Sequence, residues 1–171
     1  MKLDFNFRKI KSTDEEKINE LMNKSYVYHK KLANNIFINL KVNLFGNQLE
    51  KQHLKYLKEM SIDEKFTLTY DYIGYVCTLN DKVIGFILGK LNDMKQFHIC
   101  DIFVENKYRK IHVGKGLMNL LCLEVEFKKC HSIDLNCFKY NKIGNKFYKK
   151  LGYKLENTKG LINQYYKNID K

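Results

Sequence analysis

The sequence predicts one α/β domain built on a mixed, mostly antiparallel sheet, and three observations predict it. The first is size and balance: 171 residues, 44% hydrophobic and 29% charged, sustain one buried core and no second one. The second is a set of strand-like segments in mid-chain that double back through Asn80-Asp81, the pattern of an antiparallel hairpin. The third is a change of hydrophobic period from two to about 3.6 at Val113, and back to two at Ser132. Strand, helix and strand in that order form a crossover, whose two strands lie parallel. Residues 1–171 therefore read as a single domain.

Taken in order, Phe5 to Ile10 alternates and reads as a first strand. Ser12-Thr13-Asp14-Glu15-Glu16 offers an N-cap with acids in the first turn, and a helix with Ile18, Leu21, Met22 and Ser25 on one face runs to about His29. The stretch from Lys30 to Ser61 is polar and mixed, with a helix expected from Asn47 to Met60. Tyr70 to Leu79 and Lys82 to Gly89 are the hairpin strands, and Lys95 to Glu105 is the next. Val113, Leu117, Leu120, Leu121 and Val125 share a helix face; Ser132 to Phe138 is a buried strand. Asn141 to Leu151 is a short helix ended by Gly152, and strands at Tyr153–Glu156 and Ile162–Lys167 close the chain. That makes seven strands and about four helices.

The formal net charge is +12, yet of 31 basic residues only Arg8 and Arg109 are arginine. Nucleic-acid interfaces favour arginine for bidentate contacts, and these lysines are spread along the chain instead of forming a stripe. A solvated basic surface is the expectation, with nucleic acid not a main partner. No apolar run approaches the ~20 residues that span a bilayer. The first six residues lack the apolar core of a secretion signal. No membrane partner and a cytoplasmic location follow as expectations. Cys77, Cys100, Cys122, Cys130 and Cys137 form no CxxC pair, so neither a metal site nor a disulfide framework is expected.

The segment with chemistry in it is His98 to Gly116: a hydrophobic strand, a short basic loop and a helix beginning near Gly114. A helix N-terminus offers unpaired N–H groups and a positive dipole end, and glycine lets a phosphate approach the backbone. Arg109, Lys110 and Lys115 surround that loop. It lacks both the Walker lysine-serine pair and the full dinucleotide fingerprint.

Ile102-Phe103-Val104-Glu105-Asn106-Lys107-Tyr108-Arg109-Lys110-Ile111-His112-Val113-Gly114 resembles the acetyl-CoA motif of the GNAT superfamily of N-acetyltransferases, hydrophobic-x-V-x-x-x-Y-R-x-x-G-[IV]-G. Asn141-Lys142-Ile143-Gly144-Asn145-Lys146-Phe147-Tyr148-Lys149-Lys150-Leu151-Gly152-Tyr153 resembles that family's N-x-x-A-x-x-F-Y-x-K-x-G-[FY] signature. His112 stands where the family's first loop glycine would be, and Lys110 where glycine is usual. The cradle survives this if residue 112 keeps an ordinary backbone conformation.

The resemblance implies a splayed seven-stranded sheet, open between the strand ending at Glu105 and the one starting near Ser132, with acetyl-CoA as co-substrate in the opening and no metal. It implies that the backbone of Ile102, Phe103 and Val104 pairs with the pantetheine amides. Lys110, Ile111, His112, Val113, Gly114 and Lys115 wrap the pyrophosphate after Arg109. Asn141 holds the pantetheine arm, and Tyr148 protonates the departing thiolate. Many relatives place a glutamate base where this chain has Cys100. His98, two residues earlier and by alternation on the same face, is the candidate base, and Asp101 is expected on the opposite face as a structural residue. A covalent route through Cys100 is disfavoured, because an apolar strand blunts a thiol.

The segment from Tyr26 to Phe45 is expected to shape the acceptor end. The acceptor itself stays open among an amino-sugar phosphate, a polyamine and a protein amine, as does a homodimer. The alternative reading is a non-catalytic acyl-CoA-binding or interaction module that kept the fold.

Overall fold

A computed structural model of the chain describes residues 4–40 and 72–169. Seven strands form one sheet in the order β1-β2-β3-β4-β5-β7-β6. They are β1 (Phe5–Lys9), β2 (Tyr72–Leu79), β3 (Lys82–Leu91), β4 (Gln96–Val104), β5 (Ser132–Phe138), β6 (Lys154–Lys159) and β7 (Ile162–Asn168). Only β4 and β5 pair in parallel; the other neighbours are antiparallel. Among the described residues three α-helices flank the sheet: α1 (Glu15–Leu40), α2 (Val113–Phe127) and α3 (Lys142–Lys150). The helix expected from Asn47 to Met60 lies outside the described residues, as does the start of the strand expected at Tyr70.

Two apolar layers hold the helices to opposite faces. Ile18 and Leu21 of α1 pack on Val76, Phe86, Leu88 and Phe103. Val113, Leu117, Met118, Leu121 and Val125 of α2 pack on Tyr75, Cys77, Ile87, Phe97 and Ile99. Alternation along each strand produces this division, as Val76 between Tyr75 and Cys77 illustrates. Asn80 and Asp81 both have positive φ, at 48° and 61°, the conformation a two-residue hairpin turn demands.

Two local expectations need correction. α1 does not stop near His29 but continues to Leu40, since the intervening sequence contains neither glycine nor proline to end it. The residue that organises its start is Asp14 and not Ser12, which opens a 3₁₀ turn over Ser12–Asp14. The Asp14 carboxylate accepts the Lys11 N–H at 2.8 Å and both terminal nitrogens of Arg8 at 2.7 and 2.8 Å. A carboxylate with three charge-assisted bonds is a better brace for the β1–α1 corner than a lone hydroxyl cap.

β4 and β5 pair from Gln96↔Ser132 only as far as Ile99↔Leu135, although β4 continues to Val104 and β5 to Phe138. Where the pairing ends, β4 carries a bulge. Gly89 of β3 lies opposite Ile99 and Leu88 lies opposite Asp101, so Cys100 is the extra residue. A side chain at position 89 would stand 2.3 Å from the His98 carbonyl, so this crossing needs glycine. The sheet thus opens where β4 bends.

Candidate active site

The opening has β4 on one side, β5 and α3 on the other, and the β4–α2 loop at its mouth. From Ile102 to Val104, β4 pairs with Ile87, Phe86 and Gly85 of β3, while its other edge has no ladder partner among the described residues. Unsatisfied backbone along such an edge is a template for an added extended chain. The Val104 carbonyl accepts the Arg109 Nε–H at 2.8 Å.

Arg109 is turned toward α1. Its guanidinium lies 5.1 Å from the rings of both Tyr28 and Phe103, bracing α1 against the loop, while its backbone opens the cradle. His29 packs edge-on against Tyr28, and burial together with the Arg109 charge lowers its pKa to about 4. Of the segment expected to shape the acceptor end, this part of α1 faces the loop; residues 41–45 lie outside the described chain.

After a 3₁₀ turn at Asn106–Tyr108, the loop enters α2 through two left-handed residues, Lys110 at φ 65° and His112 at φ 69°. The expectation of an ordinary conformation at residue 112 is therefore corrected. Both positions where the resembling family carries glycine have positive φ here, a conformation that costs a side-chain-bearing residue about 1 kcal/mol or more. Tight entry into α2 requires that turn whatever residue occupies it. The first intrahelical bond is Gly116 N–H to the His112 carbonyl at 2.9 Å, so the preceding N–H groups of the first turn have no helical acceptor.

The two glycines of that turn do different jobs. A Cβ on Gly116 would lie 2.6 Å from the Phe7 ring, so a side chain there would have to displace that ring. A Cβ on Gly114 would meet nothing closer than Phe147 at 3.4 Å, an ordinary contact. The fold itself does not require glycine at 114. A bare backbone there suits the approach of a ligand.

On the opposite wall, Asn141 caps α3 by accepting the Gly144 N–H at 3.0 Å. Asn145, which sequence reasoning passed over, is the hub behind it. Its amide donates to the carbonyls of Phe138, Lys139 and Asn141, and its oxygen accepts Asn163 Nδ2–H and Tyr165 O–H, both at 2.7 Å. Tyr148 is buried, edge-on to Phe147 and Tyr153 and tilted against Tyr165. Burial first, then Cys137, Asp101 and Tyr165, push its phenol far above its usual pKa, so it keeps its proton.

The candidate base acquires a partner that the sequence did not suggest. His98 Nδ1 lies 2.6 Å from Asp134 Oδ2, across the parallel β4–β5 rung that pairs the two residues. A carboxylate on one ring nitrogen fixes the tautomer and leaves Nε2 to act. Cys100 keeps part of its surface in solvent, yet the desolvation of its thiol outweighs the Lys90 charge and holds its pKa above the ordinary value. The bulge overturns the face assigned to Asp101. Opposite Leu88 and two residues before Phe103, it lies on the α1 side, the side reached by His98 opposite Lys90. The half-buried Asp101 carboxyl is pushed up to about 7 by burial, opposed only by the Ile102 N–H.

Among the described residues no group of three or more His, Cys, Asp or Glu is placed to hold a metal ion, and no helix is long and apolar enough to cross a membrane.

This geometry agrees with what comparison finds. Residues 42–153 match the model of the acetyltransferase (GNAT) family. The chain belongs to that family. It is an acetyl-CoA-dependent N-acetyltransferase by membership. An uncharacterized N-acetyltransferase of Methanocaldococcus jannaschii is 25% identical over 122 residues, 71% of this chain and 76% of that one. The catalytic subunit of the N-terminal acetyltransferase B complex of Arabidopsis thaliana is 30% identical over 110 residues, 59% of this chain and 63%, just under two thirds, of that subunit.

The fold is that of the PaiA N-acetyltransferase of Thermoplasma acidophilum, solved with coenzyme A: TM-score 0.69, 19% identity, 97% of this chain and 99% of the other. A Bacillus anthracis protein described as a candidate streptothricin acetyltransferase, solved with acetyl coenzyme A, is 27% identical at a TM-score of 0.56, over 64% of this GNAT chain and 72% of its own.

Proposed function

We propose that this GNAT enzyme transfers acetyl from acetyl-CoA to a primary amine by direct attack in a ternary complex. The observation that carries the reading is the sheet's opening past Ile99↔Leu135, bounded, among the described residues, by the free edge of β4 and the uncovered α2 N-terminus at Gly114. The residues fit the co-substrate: Ile102, Phe103 and Val104 would offer an extended edge to pantetheine, Lys110 to Lys115 would hold the pyrophosphate, and Asn141, at the head of α3, would hold the arm. Residues 1–171 are read as one such domain, working in the cytoplasm.

The proton inventory follows from the chemistry. The amine arrives as an ammonium and must lose a proton before its lone pair can attack the carbonyl carbon. The tetrahedral intermediate then collapses as the C–S bond breaks, and sulfur takes the electron pair and a proton. Tyr148, kept protonated by burial, is the donor. His98, oriented by Asp134, is the candidate on the route by which the ammonium proton leaves, as base or as relay to solvent. One feature supports an acceptor outside the cell's macromolecular acids, the scarcity of arginine; against it, Lys139, Lys142, Lys146, Lys149 and Lys150 gather around one pocket at α3. The relatives' names span a protein N-terminus and a small-molecule antibiotic, so both a metabolite amine and a protein amine belong in the test.

Thiol release from acetyl-CoA across a panel of amines and peptide N-termini tests the reading. Wild-type protein should turn over with at least one acceptor. Tyr148→Phe should lose roughly 100-fold in kcat with acetyl-CoA affinity by calorimetry nearly unchanged. Tight CoA binding with no turnover on any amine would favour the non-catalytic module.

A further inference from the structure

The base assignment above leaves one side chain without a job. Asp101 sits at the point where β4 bends and β5 leaves it, one residue past the unpaired Cys100 and directly opposite Leu88. Alternation alone would hide it on the far side of the sheet. The bulge instead turns it to the α1 side, the side shared by His98 one rung below the opening.

Its surroundings are those of a group waiting for a cation. On α1, Ile18 and Leu21 pack against this side, and farther along Tyr28 and the titratable His29 flank the Arg109 guanidinium that stacks on Phe103. The charged and titratable groups nearby are Cys100 and His98 on its own strand, Lys90 on β3, Asp134 on β5 and Tyr148 on α3. Two of them are spoken for: Lys90 Nζ lies 4.3 Å above the Tyr72 ring, and His98 is bonded to Asp134. The guanidinium of Arg109 stacks on Phe103, two residues along β4. Among the described residues no cation forms an ion pair with Asp101, and the Ile102 N–H alone favours its charged form. A carboxyl so placed would be costly in a region built only for packing. Its charge also helps raise the pKa of the Tyr148 phenol, although Tyr148 itself packs with the α2-side core.

We propose that Asp101 is the catalytic residue that takes the proton of the incoming ammonium, and that the His98–Asp134 pair passes that proton on to solvent. The inference rests on the acetyl-transfer reading and refines its base. An ammonium R–NH₃⁺ gives one proton to the Asp101 carboxylate, leaving R–NH₂ and a neutral carboxylic acid. The amine lone pair forms the C–N bond while the carbonyl π pair moves to oxygen. When the C–S bond breaks, Tyr148 supplies the proton that sulfur takes and recovers one from the nitrogen, directly or through water. The Asp101 proton leaves through His98. The sum is ammonium plus acetyl-CoA giving amide, free thiol and one released proton. A carboxyl pushed up to about 7 and an ammonium exchange a proton over a smaller gap than an ordinary carboxylate would allow.

The experiment is kinetic, on the full chain with an acceptor from the amine panel. Asp101→Asn should lower kcat/KM at neutral pH by roughly 100-fold or more while leaving acetyl-CoA affinity within about two-fold. The deficit should shrink toward alkaline pH, where the acceptor is already free amine. Asp101→Glu, which restores a carboxylate, should recover part of the rate. His98→Gln should slow turnover less than Asp101→Asn and retain the acid limb of the wild-type profile. An Asp101→Asn enzyme with wild-type kcat/KM and an unchanged profile overturns the proposal, and so does a deficit equal at every pH. Absence of wild-type turnover on every amine is a different outcome, which takes down the acetyl-transfer reading and this inference with it. Should Asp101→Asn fail to bind acetyl-CoA, the Glu variant and the wild-type acid limb decide: a flat wild-type profile through neutral pH overturns the assignment.

Discussion

Asp14 and Asp101 are two carboxylates drawn into the same small fold, and they titrate in opposite directions. At the β1–α1 corner Asp14 is 4% exposed, yet it is held by both terminal nitrogens of Arg8 and by the Lys11 N–H. The hydrogen bonds from Arg8 lower its pKa against the opposing effect of burial. At the β4 bend Asp101 has no such cation among the described residues, and burial raises it to about 7. Burial alone therefore does not set the protonation state; the partner does. The corner with a complete set of partners is structure. The bend with an incomplete one is the place to look for chemistry.

The largest effect expected from breaking this contrast is at the corner. Asp14→Ala strands the Arg8 guanidinium and the Lys11 N–H, and should cost about 2–4 kcal/mol in denaturant unfolding at pH 7. Because the folded pKa of Asp14 is depressed, its contribution is present above the unfolded value of about 4 and is lost as pH falls through the folded one. The gap between variant and wild type should therefore hold down to about pH 4 and close only below it.

A smaller effect of opposite sign is expected at the bend. Asp101 has a raised folded pKa, so between about 4 and about 7 the folded chain binds more protons than the unfolded one. Its contribution is favourable below that window and is lost as pH rises through the folded value. Asp101→Asn should then melt higher than wild type above pH 7, by an amount on the order of 1–3 kcal/mol, with no gain below about pH 4. An unaltered melting profile would mean that Asp101 has a cationic partner in solution, and the contrast with Asp14 would fail.

The smallest effect sharpens the same contrast in the backbone. Lys110 and His112 hold left-handed conformations in the cradle loop, at φ 65° and 69°. Lys110→Gly and His112→Gly should each stabilise the fold by about 0.5–1 kcal/mol in denaturant titrations, since relief of left-handed strain exceeds glycine's extra chain entropy. Loss of stability would instead show that these side chains make contacts worth more than the strain.

Much of this was legible in the residues. The β2–β3 hairpin, the β4–α2–β5 crossover and the Asn141-capped α3 follow from periodicity and turn chemistry within short windows. The loop at Arg109 to Gly114 could be read as an anion cradle because strand, basic loop and glycine-led helix are adjacent in sequence. The end of α1 was misjudged because polar composition between Lys30 and Leu40 does not by itself stop a helix. The corner escaped because Asp14 binds backwards, to Arg8 on the preceding strand. Asn145 escaped because all five of its bonds reach outside its own helix, to the cap at Asn141, the end of β5 and the loop after it, and β7.

By itself, the sequence determined which stretches are extended and which are helical, because each depends on neighbours a few residues away. Only the tertiary structure decided which carboxylate is charged and which face it serves. The bulge at Cys100 depends on what β3 places opposite it, and the His98–Asp134 bond on a rung between strands that a helix separates. A pKa depends on every partner that burial brings or withholds, so Asp14 and Asp101, indistinguishable as letters, acquire their difference only when the chain closes around them.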